Sequence, residues 1–266
     1  MKFHAEIGVI GGSGFYSLLK NSEKIKVKSK YGKPSSDFTI GEIFGKSIAF
    51  LPRHGERHKY PPHKIPFKAN IDCFKELGVK FIIAPCACGS LQPQIKPGDF
   101  VICDQFIDRT WGRDDTFFHG PEVTHISIDH PYCNYLRDIA IKVGKKLKYN
   151  LHKKGTVVII NGPRFSTKAE SEWYQRNEWD VINMTQYPEV VLAREAEIAY
   201  VGIALVTDYD TGVAGMQDVL PVTLDEVIKI FNENNKKVKK MIYEMIKEID
   251  PKKDCSCHTA LKKAIL

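Results

Sequence analysis

Apolar runs of strand length recur along this chain, and most of them close on glycine or a polar group. Ile7–Ile10 ends in Gly11-Gly12-Ser13-Gly14, Ser47–Pro52 in Arg53-His54-Gly55, and Lys80–Ala87 in Cys88-Gly89-Ser90. Phe100–Phe106, Thr156–Ile160, Val181–Met184 and Ile198–Val206 follow. Runs without polar alternation are what strands buried on both faces require. Helical signals lie between them. Pro66–Leu77 has apolar residues at helical spacing, and Pro188 suits the first turn of a helix through Leu192 and Ala196. Thr167 with Glu170, and Thr223 with Glu226, make capping-box patterns. No repeat or linker interrupts the alternation. It predicts an α/β fold: a single domain with a central mixed, largely buried β-sheet flanked by helices. We expect that domain to span residues 1–250, with 251–266 as a C-terminal tail.

Ligands of such folds collect at the carboxyl ends of the strands. Ser13, Arg53-His54, the Gly89-Ser90 turn, Asn183 with Thr185, and Asp208 with Asp210 all fall there. One polar residue at a strand end is ordinary, but recurrence at separate strands points to a site. Gly11-Gly12-Ser13-Gly14 can aim backbone N–H groups and the Ser13 hydroxyl at an anion. Alone, it reads better as a plain tight turn. It fits neither a dinucleotide fingerprint, because Ser17 stands at the third glycine, nor a P-loop. Arg53 can hold phosphate with its planar fork of donors, and His54 can add another. A charged surface loop explains that stretch equally well. Asp208, ending a long apolar run, is expected to have an elevated pKa and to serve as a general acid. Asp210 points to the same side if the strand stays extended. By themselves these two acids read as an Asp-rich turn.

The net charge of +7, from 39 basic and 32 acidic residues, permits anionic partners. The lysines are dispersed, however, and Lys236-Lys237-Val238-Lys239-Lys240 reads as the wet face of a helix. No nucleic-acid partner is expected. No stretch reaches the ~18–20 apolar residues that span a bilayer. Met1–Gly14 carries no secretory pattern. We therefore expect a cytoplasmic protein with no membrane partner. Seven cysteines are too few for a disulfide scaffold in a chain of 266 residues. Cys86-Ala87-Cys88 reads as buried core. Cys255-Ser256-Cys257-His258 leaves metal ligation, a close disulfide and an unremarkable tail open. The tail is the default, because zinc sites use longer-spaced pairs.

Several of these segments occur together in one order: Gly11–Gly14, Arg53-His54-Gly55, Ala87–Ser90, Gly162-Pro163-Arg164-Phe165-Ser166 with Glu170, Asn183-Met184-Thr185 with Pro188-Glu189, and Thr207-Asp208-Tyr209-Asp210. From about Ile7 to Ile228 the chain resembles the trimeric purine nucleoside phosphorylase family. Asp104–Thr110 and Asp180–Thr185 look like its branch acting on 5′-methylthioadenosine. The resemblance implies that Ser13, Arg53, His54 and Thr185 bind phosphate. Cys86 and Ala87 would help through their backbone; relatives carry threonine where Cys86 stands. Met184 would lie against the ribose and Phe165 would face the base. Asp208 would approach purine N7 and Asp210 would position the base, with Asn183 and Tyr209 also in the substrate pocket. The sibling branch, which cleaves inosine and guanosine, has glutamate and asparagine where this chain has Ser166 and Asp208. A 6-amino purine has an unprotonated N1, so a fixed carboxylate there is unwelcome. Leu224, Val227 and Ile228 suit an apolar 5′-methylthio pocket, although their spacing equally describes a core-facing helix.

The implied activity is phosphorolysis of 5′-methylthioadenosine to adenine and 5-methylthioribose 1-phosphate. Inorganic phosphate would be the co-substrate, with no metal and no organic cofactor. A broader purine nucleoside phosphorylase is the nearest alternative; a nucleotide- or nucleic-acid-binding module without catalysis is another. The resemblance also implies a homotrimer or a dimer of trimers. A neighbouring subunit would lend a histidine or aromatic from Phe117–His125, with His125 the candidate.

Overall fold

Each long apolar run becomes a strand of one mixed sheet because a layer of side chains covers both of its faces. The computed structural model describes residues 3–12, 15, 18, 19, 21–213, 223–262, 264 and 265; for 224, 226–228, 231 and 232 it describes the backbone alone. The strands are β1 (Ile7–Gly11), β2 (Glu23–Ile25), β3 (Phe38–Ile43), β4 (Lys46–Pro52), β5 (Phe81–Ser90), β6 (Phe100–Ile102), β7 (Gln105–Arg109), β8 (Leu151–His152), β9 (Thr156–Ile160), β10 (Val181–Asn183) and β11 (Ala199–Asp208). The helices are α1 (Phe67–Glu76), α2 (Asn134–Lys146), α3 (Lys168–Arg176), α4 (Gln186–Glu195) and α5 (Leu224–Glu248). Along β5, Ile82 and Ala84 face one core with Phe74 of α1 and Leu192 of α4. Phe81 and Ile83 face the other, with Leu136 of α2 and Ile242 of α5. Burying one such side chain contributes about 1.5–3 kcal/mol.

The sheet runs β2-β3-β4-β1-β5-β10-β9-β7, and β11 joins β5 to β6, which in turn pairs with β8. β5 is the hub. It pairs in parallel with β11 from Phe81 to Gly89 and with β1 over Phe81–Ile83, and antiparallel with β10 at Gly89 and Ser90. Because β11 occupies one edge throughout, β1 and β10 must share the other. Between them, Ala84–Cys88 has no ladder partner on that edge among the described residues. The topology thus cuts a notch into the sheet at the carboxyl ends of its central strands.

The expected strand Phe100–Phe106 is in fact two. β6 pairs antiparallel with β11, whereas β7 pairs in parallel with β9. The chain turns at Asp104, whose N–H donates to Gly155 O and whose Oδ1 accepts from Gly155 N. Helix α2 was not foreseen, although Leu136, Ile139, Ala140 and Val143 form its buried stripe. Strands β2 and β3 were also missed, because their partly exposed edges break the apolar signal.

Thr167 and Glu170 form the expected capping box at the start of α3. Thr167 Oγ1 accepts from Glu170 N at 3.2 Å, and Glu170 Oε2 accepts from Thr167 N at 2.7 Å. Thr167→Ala should cost about 0.5–2 kcal/mol in a denaturant titration. Of the second box, the Glu226 side chain lies outside the described residues. In α5, Lys236, Lys237 and Lys240 are exposed around buried Val238, as the wet-face reading expects. Among the described residues no helix is long and apolar enough to cross a membrane.

Candidate active site

The notch along β5 has a cationic end and an acidic end. At the first, β4 delivers Arg53 into a fully buried position. A charge there needs a partner, and Glu189 of α4 supplies it. Arg53 Nε donates to Glu189 Oε2 at 2.7 Å and Nη2 to Oε1 at 2.8 Å, while Tyr200 OH donates to Oε1 at 2.7 Å. Burial works against the Arg53 charge, but the Glu189 carboxylate outweighs it and holds the guanidinium more firmly protonated than usual. Nη1 donates to Pro85 O at 3.2 Å. Of five N–H donors, two remain. A Cβ on Gly12 would lie 3.2 Å from Nη1, so the turn after β1 passes directly over the guanidinium. Thr185 is buried at the start of α4, with its hydroxyl unused as a cap. Helix starts favour anions, although α4 becomes regular only at Pro188, after an extended Tyr187.

His54 is buried, and its Nδ1 lies 2.9 Å from Tyr60 O. That carbonyl can only accept, so Nδ1 carries the proton. Burial, with the stacked His58 adding to it, lowers the His54 pKa to about 3. The imidazole is therefore neutral near pH 7 and presents a lone pair at Nε2. This corrects the sequence expectation that His54 adds a donor.

At the acidic end, β11 stops at Asp208. A register shift between Val206 and Asp208 turns the strand end inward. Asp208 Oδ2 accepts from Thr207 Oγ1 at 2.7 Å, and Oδ1 accepts from Asp210 N at 2.8 Å. Asp210 is not on an extended strand, as alternation would have it. It sits in the turn beyond, at φ 51°, in the left-handed region that aspartate tolerates. Burial pushes the pKa of the Asp210 carboxyl group upward, against the nearby Ser171 and Ser166 hydroxyls. Its Oδ2 and the Ser166 Oγ are buried close together but form no hydrogen bond of good geometry. Such atoms are costly unless a ligand satisfies them. Phe165, partly exposed, borders the same loop, and Tyr209 is half-buried toward Asp99.

A sequence profile of the phosphorylase superfamily matches residues 6–247. The chain belongs to the phosphorylase superfamily. It is 48% identical to an S-methyl-5′-thioadenosine phosphorylase of Thermofilum pendens, covering 98% of both chains. It is also 48% identical to that of Saccharolobus solfataricus, covering 98% of this chain and 97% of the other. Its fold superposes on a crystal structure of methylthioadenosine phosphorylase from an Antarctic soil metagenomic library with a TM-score of 0.91, at 41% identity, covering 99% and 93% of the two chains. A Schistosoma mansoni methylthioadenosine phosphorylase in complex with adenine superposes at 0.89, with 35% identity and 97% and 96% coverage.

Within this superfamily fold, several expected ligands are committed elsewhere. Asn183 Oδ1 accepts from Thr185 N, and its Nδ2 donates to Cys86 Sγ at 3.4 Å. Asn183 thus shapes the start of α4. The Cys86 thiol accepts from Gln186 Nε2 at 3.1 Å and lies 3.5 Å from Cys88 Sγ. The hydrogen bond from Cys88, then the Arg53 charge and the Gln186 and Asn183 amides, pull it below the usual thiol range against the burial that opposes them. The Cys86 side chain is thus committed within the fold, and Cys86 and Ala87 lie in the stretch of β5 that has no ladder partner toward β1 and β10. Met184 O accepts from Arg113 Nη2 at 2.9 Å, and the same nitrogen reaches Asn161 O at 3.0 Å. Arg113 so ties the Phe165 loop to the end of β10, a role the sequence did not signal. Glu189 did leave a signal: an acid beside core-facing Val190 needs a cation.

His125 is exposed, and its N–H donates to Ala264 O in the C-terminal tail. Ser13 lies outside the described residues, as do the side chains of Leu224, Val227 and Ile228.

Proposed function

We propose that this chain cleaves 5′-methylthioadenosine with inorganic phosphate, yielding adenine and 5-methylthioribose 1-phosphate. One observation carries the reading. The spare donors of Arg53 sit at Pro85, within the stretch of β5 left unpaired between β1 and β10, and Asp208 and Asp210 sit over Gly89, where that stretch ends. Four residues of strand span about 13 Å, which suits a nucleoside with phosphate below its sugar. The names of the relatives point the same way.

Phosphate binds at Arg53 and Thr185. Neutral His54 Nε2 accepts a hydrogen bond from a phosphate hydroxyl. At the other end, the adenine 6-amino group donates to Asp210 Oδ2 and Ser166 Oγ; a 6-oxo purine offers them no donor at that position. Thr207 Oγ1 has two acceptors in reach, Asp208 Oδ2 and Cys88 O at 3.2 Å. Turned toward Cys88 O, it no longer donates to Asp208, whose carboxyl group carries a proton to N7. The glycosidic bond breaks with its electrons entering the base. The phosphate oxygen then forms the new bond to C1′ with inversion. No metal, organic cofactor or covalent enzyme intermediate takes part. The family likeness extends the proposal to a cytoplasmic homotrimer or dimer of trimers, its mass to be read by analytical ultracentrifugation.

The test is adenine release from 5′-methylthioadenosine with and without phosphate, beside adenosine and inosine. Phosphate-dependent release favouring methylthioadenosine supports the proposal. Preference for inosine overturns the use of Ser166 and Asp208, and no release from any nucleoside removes the function. Gly89→Ala is a second probe. A Cβ there would meet Asp208 Oδ1 at 2.8 Å and Asp210 N at 3.2 Å. Displacing the acid by a fraction of an ångström to 1 Å should cost roughly 10²-fold in turnover, with the circular dichroism spectrum unchanged.

A further inference from the structure

The catalytic notch lies at the carboxyl ends of β5 and β11. A different group of side chains meets at their amino ends. Cys133 is the N-cap residue of α2, and its N–H donates to Tyr200 O at 2.8 Å. The C-terminal tail brings Cys255 and Cys257 against it. The three sulfurs all lie within 4.8 Å of one another, with Cys133 Sγ 3.4 Å from Cys255 Sγ. Nothing in the catalytic proposal uses them.

We infer that Cys133, Cys255 and Cys257 form a binding site for one thiophilic d¹⁰ cation, zinc being the ordinary case. Zinc–sulfur bonds of about 2.3 Å place tetrahedral sulfurs about 3.8 Å apart, so the cluster needs little adjustment. Soft thiolates select such ions over hard ones. Binding releases the thiol protons to solvent and moves no electrons. Three thiolates around a divalent ion leave one negative charge, and the surroundings suit it. Arg194 Nη1 lies 3.3 Å from Cys257 Sγ, and the start of α2 favours an anion beside Cys133. Cys255 is half-exposed, giving the ion a path in and a water the fourth corner.

The site would staple the tail to the sheet. His258 Nε2 lies 3.2 Å from Lys80 O, and Leu261 N donates to Glu197 Oε1 at 3.2 Å, so the tail already rests on this end of the fold. Tyr200 and Asp208 are eight residues apart on β11, about 26 Å. The ion therefore steadies the fold without entering the chemistry.

The experiment titrates the full-length protein, reduced and held anaerobically, with zinc against a chromophoric chelator, and with cadmium while its ultraviolet thiolate charge-transfer band is followed. One ion per chain is expected, with a higher Tm in zinc and unchanged turnover. Cys255→Ser should weaken binding by at least the ~10–100-fold typical of losing a supporting group, and should abolish the zinc-dependent rise in Tm. Cys73→Ala, which removes a thiol outside the cluster, should change neither. Cys255 is not a core residue, so its variant keeps the test open if Cys133→Ser fails to fold. Three outcomes would overturn the inference: no stoichiometric thiolate band in the reduced protein, uptake unaffected by Cys255→Ser, or a disulfide among these cysteines that persists in reductant and excludes the metal.

Discussion

Asp208→Asn is expected to lower turnover by about 10²–10⁴-fold while leaving the Michaelis constant for nucleoside within a few fold. The amide is nearly isosteric with the carboxyl group. It can still accept from Asp210 N, which Asp208 Oδ1 does at 2.8 Å, so the turn at φ 51° should survive. What asparagine cannot do is pass a proton to the leaving base. A hydrogen bond from its N–H to N7 remains available, and the residual rate would measure that contribution alone. Single-turnover measurements at saturating phosphate give the cleanest reading, because they exclude product release. Turnover equal to the wild type would remove Asp208 from the chemistry and leave it a structural member of the turn.

Arg53→Ala should destabilise the fold by about 3–5 kcal/mol, because it strands the Glu189 carboxylate in the core with only the Tyr200 hydroxyl for company. It should also abolish phosphate saturation in the accessible range. The two consequences have different causes and can be separated. Arg53→Met with Glu189→Gln removes both charges while keeping an acceptor for Tyr200. That double variant should recover most of the lost stability, read by thermal or denaturant unfolding, yet still fail to use phosphate. A single variant as stable as the wild type would contradict the ion pair. A double variant with normal phosphate saturation would contradict the role proposed for Arg53.

Much of this molecule is legible along the chain. The long apolar runs became β1, β4, β5, β9, β10 and β11, and the strand ends carry the polar groups that gather at the notch. The capping box at Thr167 formed as its spacing implies. These features are local: they depend on which residues stand three, four or two positions apart. Where the local signal was mixed, the reading missed. Phe100–Phe106 looked like one strand because composition does not show that Asp104 turns the chain between two different partners. Strand β2 lies at the edge with β3 beside it, and strands with one face toward solvent need not be continuously apolar.

Local patterning along the chain decides which segments are buried and which of their ends are polar, because burial follows from apolar periodicity over a few residues. It does not determine which groups meet. Arg53 finds Glu189 across 136 positions, and Cys133 finds Cys255 across 122. The unpaired edge of β5 exists because its pairing with β1 ends at Ile83 and its pairing with β10 begins at Gly89. Likewise, the proton on His54 is fixed by the carbonyl of Tyr60, and Asp210 joins Asp208 through a turn instead of strand alternation. Hydrogen-bond direction and charge pairing act over about 3 Å, and strand register and packing, set by the whole chain at once, decide which atoms come that close.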